Sequence, residues 1–402
     1  MDLVAESPAG EDDAAMPTRA AHPEESPRFV AGTMTGTSID GDLDAALVEL
    51  RGTGLGMQAR FVAGLSHPLG DVADGLRRIA AQEPMTAGEL ARIARAFGDA
   101  HARALAELCS GAGVQPDLAV LHGQTVFHAP PLTWQFLDPW PVAIRLRCRV
   151  RYDLRGANVA SGGQGAPITP LADFILFGDE RDAKVVMNLG GFINVTYVPQ
   201  RAKGIESIRG FDLCACNHLL DRVARTRLGA GFDRDGAAAL GGACDESIAA
   251  SISRTIAPET AHGASRRSLG TGDEAAKLVE LTSNLSADDA CRTIVEAIAD
   301  AAARTIAREI PNGCSTMLLA GGSARNKALQ LALARRSGMD VRNTDESHGI
   351  PVHMREPGEI AILGALADDG VRFSLPQVTG AASQVPESAL LDGGISAGNT
   401  QD

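Results

Sequence analysis

Long apolar runs are missing from this sequence. No stretch of the 402-residue chain approaches the ~20 apolar residues that a membrane-spanning helix needs. The first 27 residues lack both the basic start and the apolar centre of a signal peptide. These two absences predict a protein with no membrane partner and a cytoplasmic location.

A basic surplus is missing as well. The formal net charge is -13, which argues against duplex nucleic acid as a partner, because binding the phosphate backbone needs a basic face. The chain has seven cysteines, an odd number, and none forms a Cys-x-x-Cys pair. This cysteine usage is typical of a reducing compartment.

Aromatic residues are scarce, whereas glycine is abundant. Aromatics make up 4% of the chain and there are 44 glycines, a composition typical of an α/β protein with tight turns. The length allows two domains, each with its own core. We expect a disordered acidic tail at 1–27, an N-terminal lobe at 28–165, a C-terminal lobe at 166–385 and a C-terminal tail at 386–402.

The most informative stretch is 29–50, which is predicted to form a strand, a polar turn and a second strand. Glycines in the turn free the backbone to present N–H groups to phosphate, while its carboxylates suit Mg²⁺. An ordinary hairpin turn favours the same residue types, so that alternative stays open. The candidate nucleotide-binding residues here are Thr35, Gly36, Thr37, Ser38, Ile39, Asp40, Gly41 and Asp42, with Asp40 as the candidate metal ligand.

Two more strand-to-glycine turns follow. Residues 184–198 repeat the strand, glycine turn and strand, and residues 316–326 form a strand and a glycine turn that opens a helix at 327–336. Three such turns match the layout of the actin-like ATPase and sugar kinase fold, an α/β fold of two lobes around a central cleft. The added nucleotide-binding candidates are Gly190, Gly191, Asn194, Gly321, Gly322 and Asn326.

Several ionisable side chains stand at predicted strand ends, where ligands meet open α/β sheets. His122 follows a short strand, and it either caps that strand or faces a ligand. Asp212 is expected at a strand-to-helix junction, where it either caps the helix or acts as a base. His101, on a helix predicted at 85–110 with Thr86 as its N-cap, is expected at the surface.

Several motifs, taken in order, resemble those of the anhydro-N-acetylmuramic acid kinases. The resemblance runs from about residue 30 to residue 381 and leaves out the N-terminal tail. The motifs are Gly32–Gly41, His122–Thr125, Asp153–Arg155, Gly162–Pro167, Asn188–Gly191, Gly210–Asp212 and Gly321–Asn326.

The resemblance implies the reaction and the roles of the residues. Water would open the 1,6-anhydro bridge of anhydro-N-acetylmuramic acid, and the released O6 would accept a phosphoryl group from ATP with Mg²⁺, as part of peptidoglycan recycling. Asp212 matches the catalytic base of the family. Members of the family are homodimers, which implies a homodimer here. The positions that match the substrate-binding residues are His122, Arg155, Asn217 and Glu359.

The sequence departs from the family at a few positions. Leu213–Cys216 stand where the family has Thr-Gly-Pro-Gly, which predicts side chains at the sugar pocket in place of bare backbone. Asn158 stands where aspartate is usual and Phe127 where arginine is usual. Two alternatives therefore stay open: a kinase for another anhydro or hydroxylated small molecule, and a nucleotide-binding regulatory protein without turnover.

Overall fold

The computed structural model describes residues 26–36, 39, 41–258, 273–381 and 387–393. Within these ranges no helix combines the length and the apolar character that crossing a membrane requires. The predicted tail at 1–27 falls almost entirely outside the described residues, as do Thr37, Ser38 and Asp40 of the first polar turn.

The first sheet has the strand order β13-β7-β4-β1-β2-β3. β1, β2 and β3 are antiparallel neighbours, and β4 and β7 continue the sheet parallel to β1. A separate small hairpin pairs β5 with β6. The strands of the N-terminal part are β1 (Arg28–Met34), β2 (Asp42–Arg51), β3 (Gln58–Pro68), β4 (Leu118–Leu121), β5 (Gln124–Ala129), β6 (Leu132–Phe136) and β7 (Arg149–Tyr152).

The second sheet repeats this arrangement. Its order is β10-β9-β8-β11-β12, with β8, β9 and β10 antiparallel and β11 and β12 parallel to β8. The chain then returns to the first sheet, where β13 pairs with β7. These strands are β8 (Lys184–Leu189), β9 (Phe192–Val198), β10 (Arg209–Ala215), β11 (Thr316–Ala320), β12 (Asp340–Asn343) and β13 (Ala389–Leu391).

Helices cover both faces of each sheet. The helices of the first half are α1 (Asp71–Ala80), α2 (Ala87–Ala112), α3 (Trp140–Leu146), α4 (Gly156–Ala160) and α5 (Pro170–Phe177). Those of the second half are α6 (Asn217–Val223), α7 (Ala237–Gly241), α8 (Glu246–Ile256), α9 (Asp273–Glu280), α10 (Ala287–Glu309), α11 (Lys327–Ser337), α12 (Thr344–His348), α13 (Arg355–Asp368) and α14 (Pro376–Thr379).

Strand alternation divides the core into three layers. Successive side chains of a strand point to opposite faces, so Ala31 and Leu47 pack against α1, α2 and α3, while Val30 and Val48 pack against α13 and α5. The middle layer is shared, because α5 and α13 also contact the inner face of the second sheet. Burial on both faces explains the nearly continuous apolar run of 45–50.

The two sheets have the same strand order: β3-β2-β1-β4-β7 in the first sheet corresponds to β10-β9-β8-β11-β12 in the second. This doubled order, with helices on both faces of each sheet, confirms the α/β class and the actin-like ATPase fold predicted from the three glycine turns. In such open sheets, ligands lie beyond the carboxyl ends of the strands. The turns after β1, β8 and β11 stand at those ends.

Most local predictions are confirmed, with exceptions where tertiary packing decides. α2 begins after Thr86, which forms a capping box with Glu89. His101 was predicted at the surface, which is wrong: it is fully buried against Phe97 and Thr33.

Candidate active site

The first glycine turn is anchored by side chains from outside it. Thr35 donates from Oγ1 to Oε1 of Gln124 at 2.7 Å, and both residues are buried. Ile39 donates its N–H to the carbonyl of Gly36 at 3.1 Å, and its own carbonyl accepts from Arg77 at 2.7 Å. The proton of the Thr35 hydroxyl is therefore committed to Gln124, so Thr35 would offer a ligand its oxygen as an acceptor or its backbone N–H.

The far end of the same turn is fixed by backbone contacts. Gly41 has a φ of +112°, a conformation that L side chains rarely adopt, and its carbonyl accepts from the N–H of Leu69 at 2.7 Å. Asp42 is the exposed first residue of β2. Among the described ranges, no three acidic, histidine or cysteine side chains cluster as a metal site.

The second and third glycine turns meet at one edge of the second sheet. β8 and β11 are parallel neighbours, so the turns at Gly190 and Gly321 stand side by side. Asn217 bridges them, because its N–H donates to the carbonyl of Gly190 at 3.0 Å and its Oδ1 accepts from Ser323 at 2.6 Å. Asn217, predicted to bind the sugar, thus helps to hold the second and third glycine turns together.

Close packing explains why glycine occupies these turns. A Cβ on Gly321, whose φ is +87°, would lie 2.8 Å from Oδ1 of Asn188 and 2.9 Å from the backbone of Leu189. A Cβ on Gly191 would lie 2.8 Å from the ring of His218. Gly322 has more room, since its Cβ would stay 3.5 Å from Asn217.

Asn326 closes the third turn as a helix cap. Its Oδ1 accepts from the N–H of Leu329 at 3.0 Å, at the start of α11. The residue is 8% exposed and its side chain packs against Gly236. Any contact between Asn326 and a nucleotide would therefore use its backbone or its remaining amide hydrogens.

Asp212 lies within β10 and not at a helix start. It pairs across the sheet with Asn194, and Nδ2 of Asn194 donates to its Oδ1. α6 begins at Asn217 without a side-chain cap, so the alternative that Asp212 caps this helix is wrong. Burial raises the pKa of Asp212, with the hydrogen bond from Asn194 and the charge of Arg155 opposing that rise.

Arg155 and His122 come together at the carboxyl ends of β7 and β4. Arg155 donates from Nε to Nε2 of His122 at 3.0 Å and from Nη1 to the carbonyl of Gly165 at 2.7 Å. Burial lowers the pKa of Arg155 to about 10, while the nearby Glu356 and Asp212 carboxylates raise it. The guanidinium therefore lies within electrostatic reach of both carboxylates.

The hydrogen bonds of His122 fix its tautomer. Arginine only donates, so Nε2 of His122 must accept, and Nδ1 carries the proton that it donates to the carbonyl of Gly123 at 2.9 Å. Burial, with Arg155 adding, lowers the pKa of His122 to about 3. The ring is neutral and both its nitrogens are used, so His122 orients Arg155.

Two glutamates one turn apart on α13 have different surroundings. Glu359, the predicted sugar ligand, is 0% exposed and lies 2.8 Å from Nη2 of Arg355, which also binds Asp173. Glu356 was not singled out from the sequence, yet it is the one within electrostatic reach of Arg155 and of Asp44 in β2. A glutamate near the start of α13 describes both residues, so the sequence alone does not distinguish them.

A model of the family "Anhydro-N-acetylmuramic acid kinase" matches residues 28–391. The kinase of that name from Gloeobacter violaceus is 31% identical over 374 residues, covering 90% of this chain and 97% of that protein. The Streptomyces coelicolor kinase is 33% identical over 375 residues, covering 88% and 90%.

The chain belongs to the anhydro-N-acetylmuramic acid kinase family. A solved structure of a ROK family glucokinase from Streptomyces griseus, in complex with glucose and AMPPNP, is also similar, with 15% identity, a TM-score of 0.38, and coverage of 83% of this chain and 98% of that one.

The departure from the family sequence at Leu213–Cys216 does not have the consequence that was predicted for it. Leu213, Cys214 and Cys216 were expected to place side chains at the sugar pocket, but all three are at most 5% exposed and belong to the core between the second sheet and its outer helices. β10 has an irregularity between Asp212 and Ala215 that redirects these side chains. The altered sequence therefore changes core packing behind Asp212.

Proposed function

We propose that this protein is an ATP-dependent anhydro-N-acetylmuramic acid kinase acting in peptidoglycan recycling. Water adds to the anomeric carbon as the bond from that carbon to O6 breaks, and O6 takes the γ-phosphoryl group of ATP. The products are N-acetylmuramic acid 6-phosphate and ADP. The observation that carries the proposal is a partly buried Asp212, held by Asn194, within electrostatic reach of an Arg155 that His122 and Gly165 hold in place.

Asp212 is suited to take the proton of the attacking water. Oδ1 is held by Asn194, so Oδ2 is the free acceptor of an oriented carboxylate. Burial makes this carboxylate a stronger base than an exposed aspartate, and Arg155 keeps the ionised form available. A base that is both oriented and partly desolvated is what activation of water needs.

Arg155 is suited to bind an anionic substrate group. Its Nε donates to His122 and its Nη1 donates to Gly165, so these two hydrogen bonds fix the direction of the remaining nitrogen, Nη2. The lactyl carboxylate of the sugar is a matching acceptor for a guanidinium. Glu356 stands beside Arg155 and supplies an acceptor for sugar hydroxyls.

The glycine turns suit the nucleotide. Asn217 holds the turns at Gly190 and Gly321 together, because its N–H donates to the carbonyl of Gly190 and its Oδ1 accepts from Ser323. Bound ATP supplies the phosphoryl group, and the protein's task is to position it and compensate its charge. In the first turn, Arg77 holds the carbonyl of Ile39 and Leu69 holds the carbonyl of Gly41, which supports a role for the backbone of this turn in binding phosphate.

Mg²⁺ is part of the proposal through Asp40. Mg²⁺ takes hard oxygen ligands, usually one or two carboxylates completed by phosphate and water. Asp40 lies outside the described residues, but its neighbours Ile39 and Gly41 are both held by hydrogen bonds. We also propose that the protein acts as a homodimer in the cytoplasm, as its resemblance to the family implies.

The test is turnover by the pure protein. Incubation with ATP, Mg²⁺ and anhydro-N-acetylmuramic acid should give the mass of N-acetylmuramic acid 6-phosphate, and Asp212→Asn should not. N-acetylmuramic acid without the anhydro bridge serves as the control acceptor and should give little product. Absence of product from the wild-type protein at high enzyme concentration would reject this substrate.

A further inference from the structure

The loop Gly162–Pro167, between α4 and α5, carries the carbonyl that orients Arg155. Gly165 accepts from Nη1 of Arg155 at 2.7 Å and has a φ of +66°. His122 fixes only the Nε side of the guanidinium. The position of the Gly165 carbonyl therefore decides how the plane of the guanidinium is turned.

Asn158, on α4, holds this loop in place. Its Oδ1 accepts from the N–H of Gly165 at 2.8 Å, while its Nδ2 donates to Oγ1 of Thr379 at 3.1 Å and to the carbonyl of Ala381 at 2.9 Å. The residue is 1% exposed. One buried amide thus ties the loop to the segment that follows α14.

Asn158 and the loop are closely packed. A Cβ on Gly163 would lie 2.2 Å from Oδ1 of Asn158, and the N–H of Gly163 donates to the backbone carbonyl of Asn158 at 2.9 Å. Gln164 adds a second tie, because its N–H donates to the carbonyl of Thr379 at 2.7 Å. A change at Asn158 must therefore move the loop.

We propose that Asn158 is a positioning residue for the kinase reaction: through Gly165 it sets the direction of the Arg155 guanidinium at the sugar site. This inference rests on the proposed function. Asn158 is buried, and its side-chain hydrogen bonds go to Gly165, Thr379 and Ala381, so its effect on Arg155 passes through Gly165. It also explains why this chain has an amide where its family usually has a carboxylate: the Ala381 carbonyl can only accept, and the Thr379 hydroxyl already directs its proton at the carbonyls of Leu375 and Ala381, so both need a donor from residue 158.

The kinetic test uses Asn158→Asp, which keeps the size and the acceptor but loses both donors. Since misplacement of a binding group by about 1 Å can cost ~100-fold, kcat/KM for the sugar should fall roughly 10- to 100-fold while KM for ATP stays unchanged. Ser253→Ala is the matched control, since it breaks a buried polar contact with Asp300 far from the loop. It should leave both parameters unchanged.

A double-mutant cycle separates positioning from simple destabilisation. In the Arg155→Lys background the group that Asn158 directs is gone, so adding Asn158→Asp should cost much less than in the wild type. Losses that add fully would overturn the proposal. If Asn158→Asp does not fold, Thr379→Val can replace it, because it removes one of the two acceptors of the Asn158 amide. Thr379→Val should give a smaller loss of kcat/KM for the sugar, and Thr379→Ser, which keeps the hydroxyl, should show wild-type kcat/KM. A Thr379→Val protein with wild-type kinetics would also overturn the proposal.

A readout without substrate distinguishes this inference from the proposed function. The Nε–H resonance of Arg155, assigned by its loss in Arg155→Lys, should shift and exchange faster with solvent in Asn158→Asp but not in Ser253→Ala. If the wild type phosphorylates no sugar and this resonance still responds, only the proposed function fails. If the sugar is phosphorylated and the resonance does not change, only the positioning role fails.

Discussion

The two sheets have the same strand order but equip their carboxyl ends differently. The first sheet ends in ionisable side chains, His122 after β4 and Arg155 after β7, each held by hydrogen bonds. The second sheet ends in glycine turns after β8 and β11 that are locked to each other by Asn217. In the function proposed above, the charge of Arg155 serves the sugar and the backbone of the glycine turns serves the nucleotide. Asp212, from an antiparallel strand of the second sheet, is the exception that joins the two.

Asp212→Asn tests that exception and should have the largest effect. Loss of a general base typically costs about 10²- to 10⁴-fold in turnover. Folding should be unaffected, because the carboxylate is buried at some cost and an amide of the same shape avoids it. Product formation, ATP binding by calorimetry and the melting temperature measure the three effects.

Asp245→Asn is the control for that substitution. Asp245 caps α8 through the N–H groups of Ser247 and Ile248, a task that asparagine performs about as well. Its turnover should match the wild type. Turnover retained in Asp212→Asn would remove Asp212 from the mechanism.

The glutamates of α13, a helix that packs against the first sheet, test the idea that this side of the site binds the sugar through charge. Glu356→Gln should lower kcat/KM for the sugar by roughly tenfold, the loss of one charge-assisted hydrogen bond of about 1.5 kcal/mol. Glu359→Gln is the matched control on the same helix and should keep near-wild-type kinetics, because Glu359 is enclosed with Arg355 and Asp173. The reverse ranking would assign the sugar contact to Glu359, as the sequence resemblance implies.

Sequence reasoning identified the elements more reliably than their partners. The hairpin at 184–198, α2 with its Thr86 cap and the helix after Asn326 were all predicted, since their signals are local. The return of α13 and β13 to the first sheet depends on contacts far apart in sequence.

The candidate site shows the same division. Its predicted strand end pointed to Asp212, and the resemblance to the family pointed to Arg155; the structure places the two within electrostatic reach of each other. Nothing local separates Glu356 from Glu359, because two glutamates one turn apart on a helix differ only in what packs against them. The burial of His101 and the inward packing of Cys216 are likewise set by tertiary contacts.

Gly321→Ala tests the bare-backbone half of the comparison. A residue with a side chain at a φ of +87° is strained by about 1–3 kcal/mol, and its Cβ would press on Asn188 and Leu189. The melting temperature should fall and KM for ATP should rise, with KM for the sugar less affected. Gly322→Ala, whose Cβ has room, should change both values less. Equal effects from the two substitutions would argue against close packing as the reason for glycine here.

Glu359→Gln should have the smallest effect, visible only as a pH dependence of stability. Burial raises the pKa of Glu359 well above its ordinary 4.5, with Arg355 opposing, so the folded protein keeps a proton that the unfolded chain releases. The folded state then binds more protons, and the stability that this group contributes is fully present below about pH 4.5 and is lost as pH rises through the folded pKa. Glutamine cannot ionise, so the variant should gain free energy of unfolding relative to the wild type as pH increases from 5 to 9 in urea titrations. Glu180→Gln, at an exposed position, should show no such trend, and a Glu359→Gln difference that stays flat or falls with pH would mean that Glu359 is ionised in the folded protein.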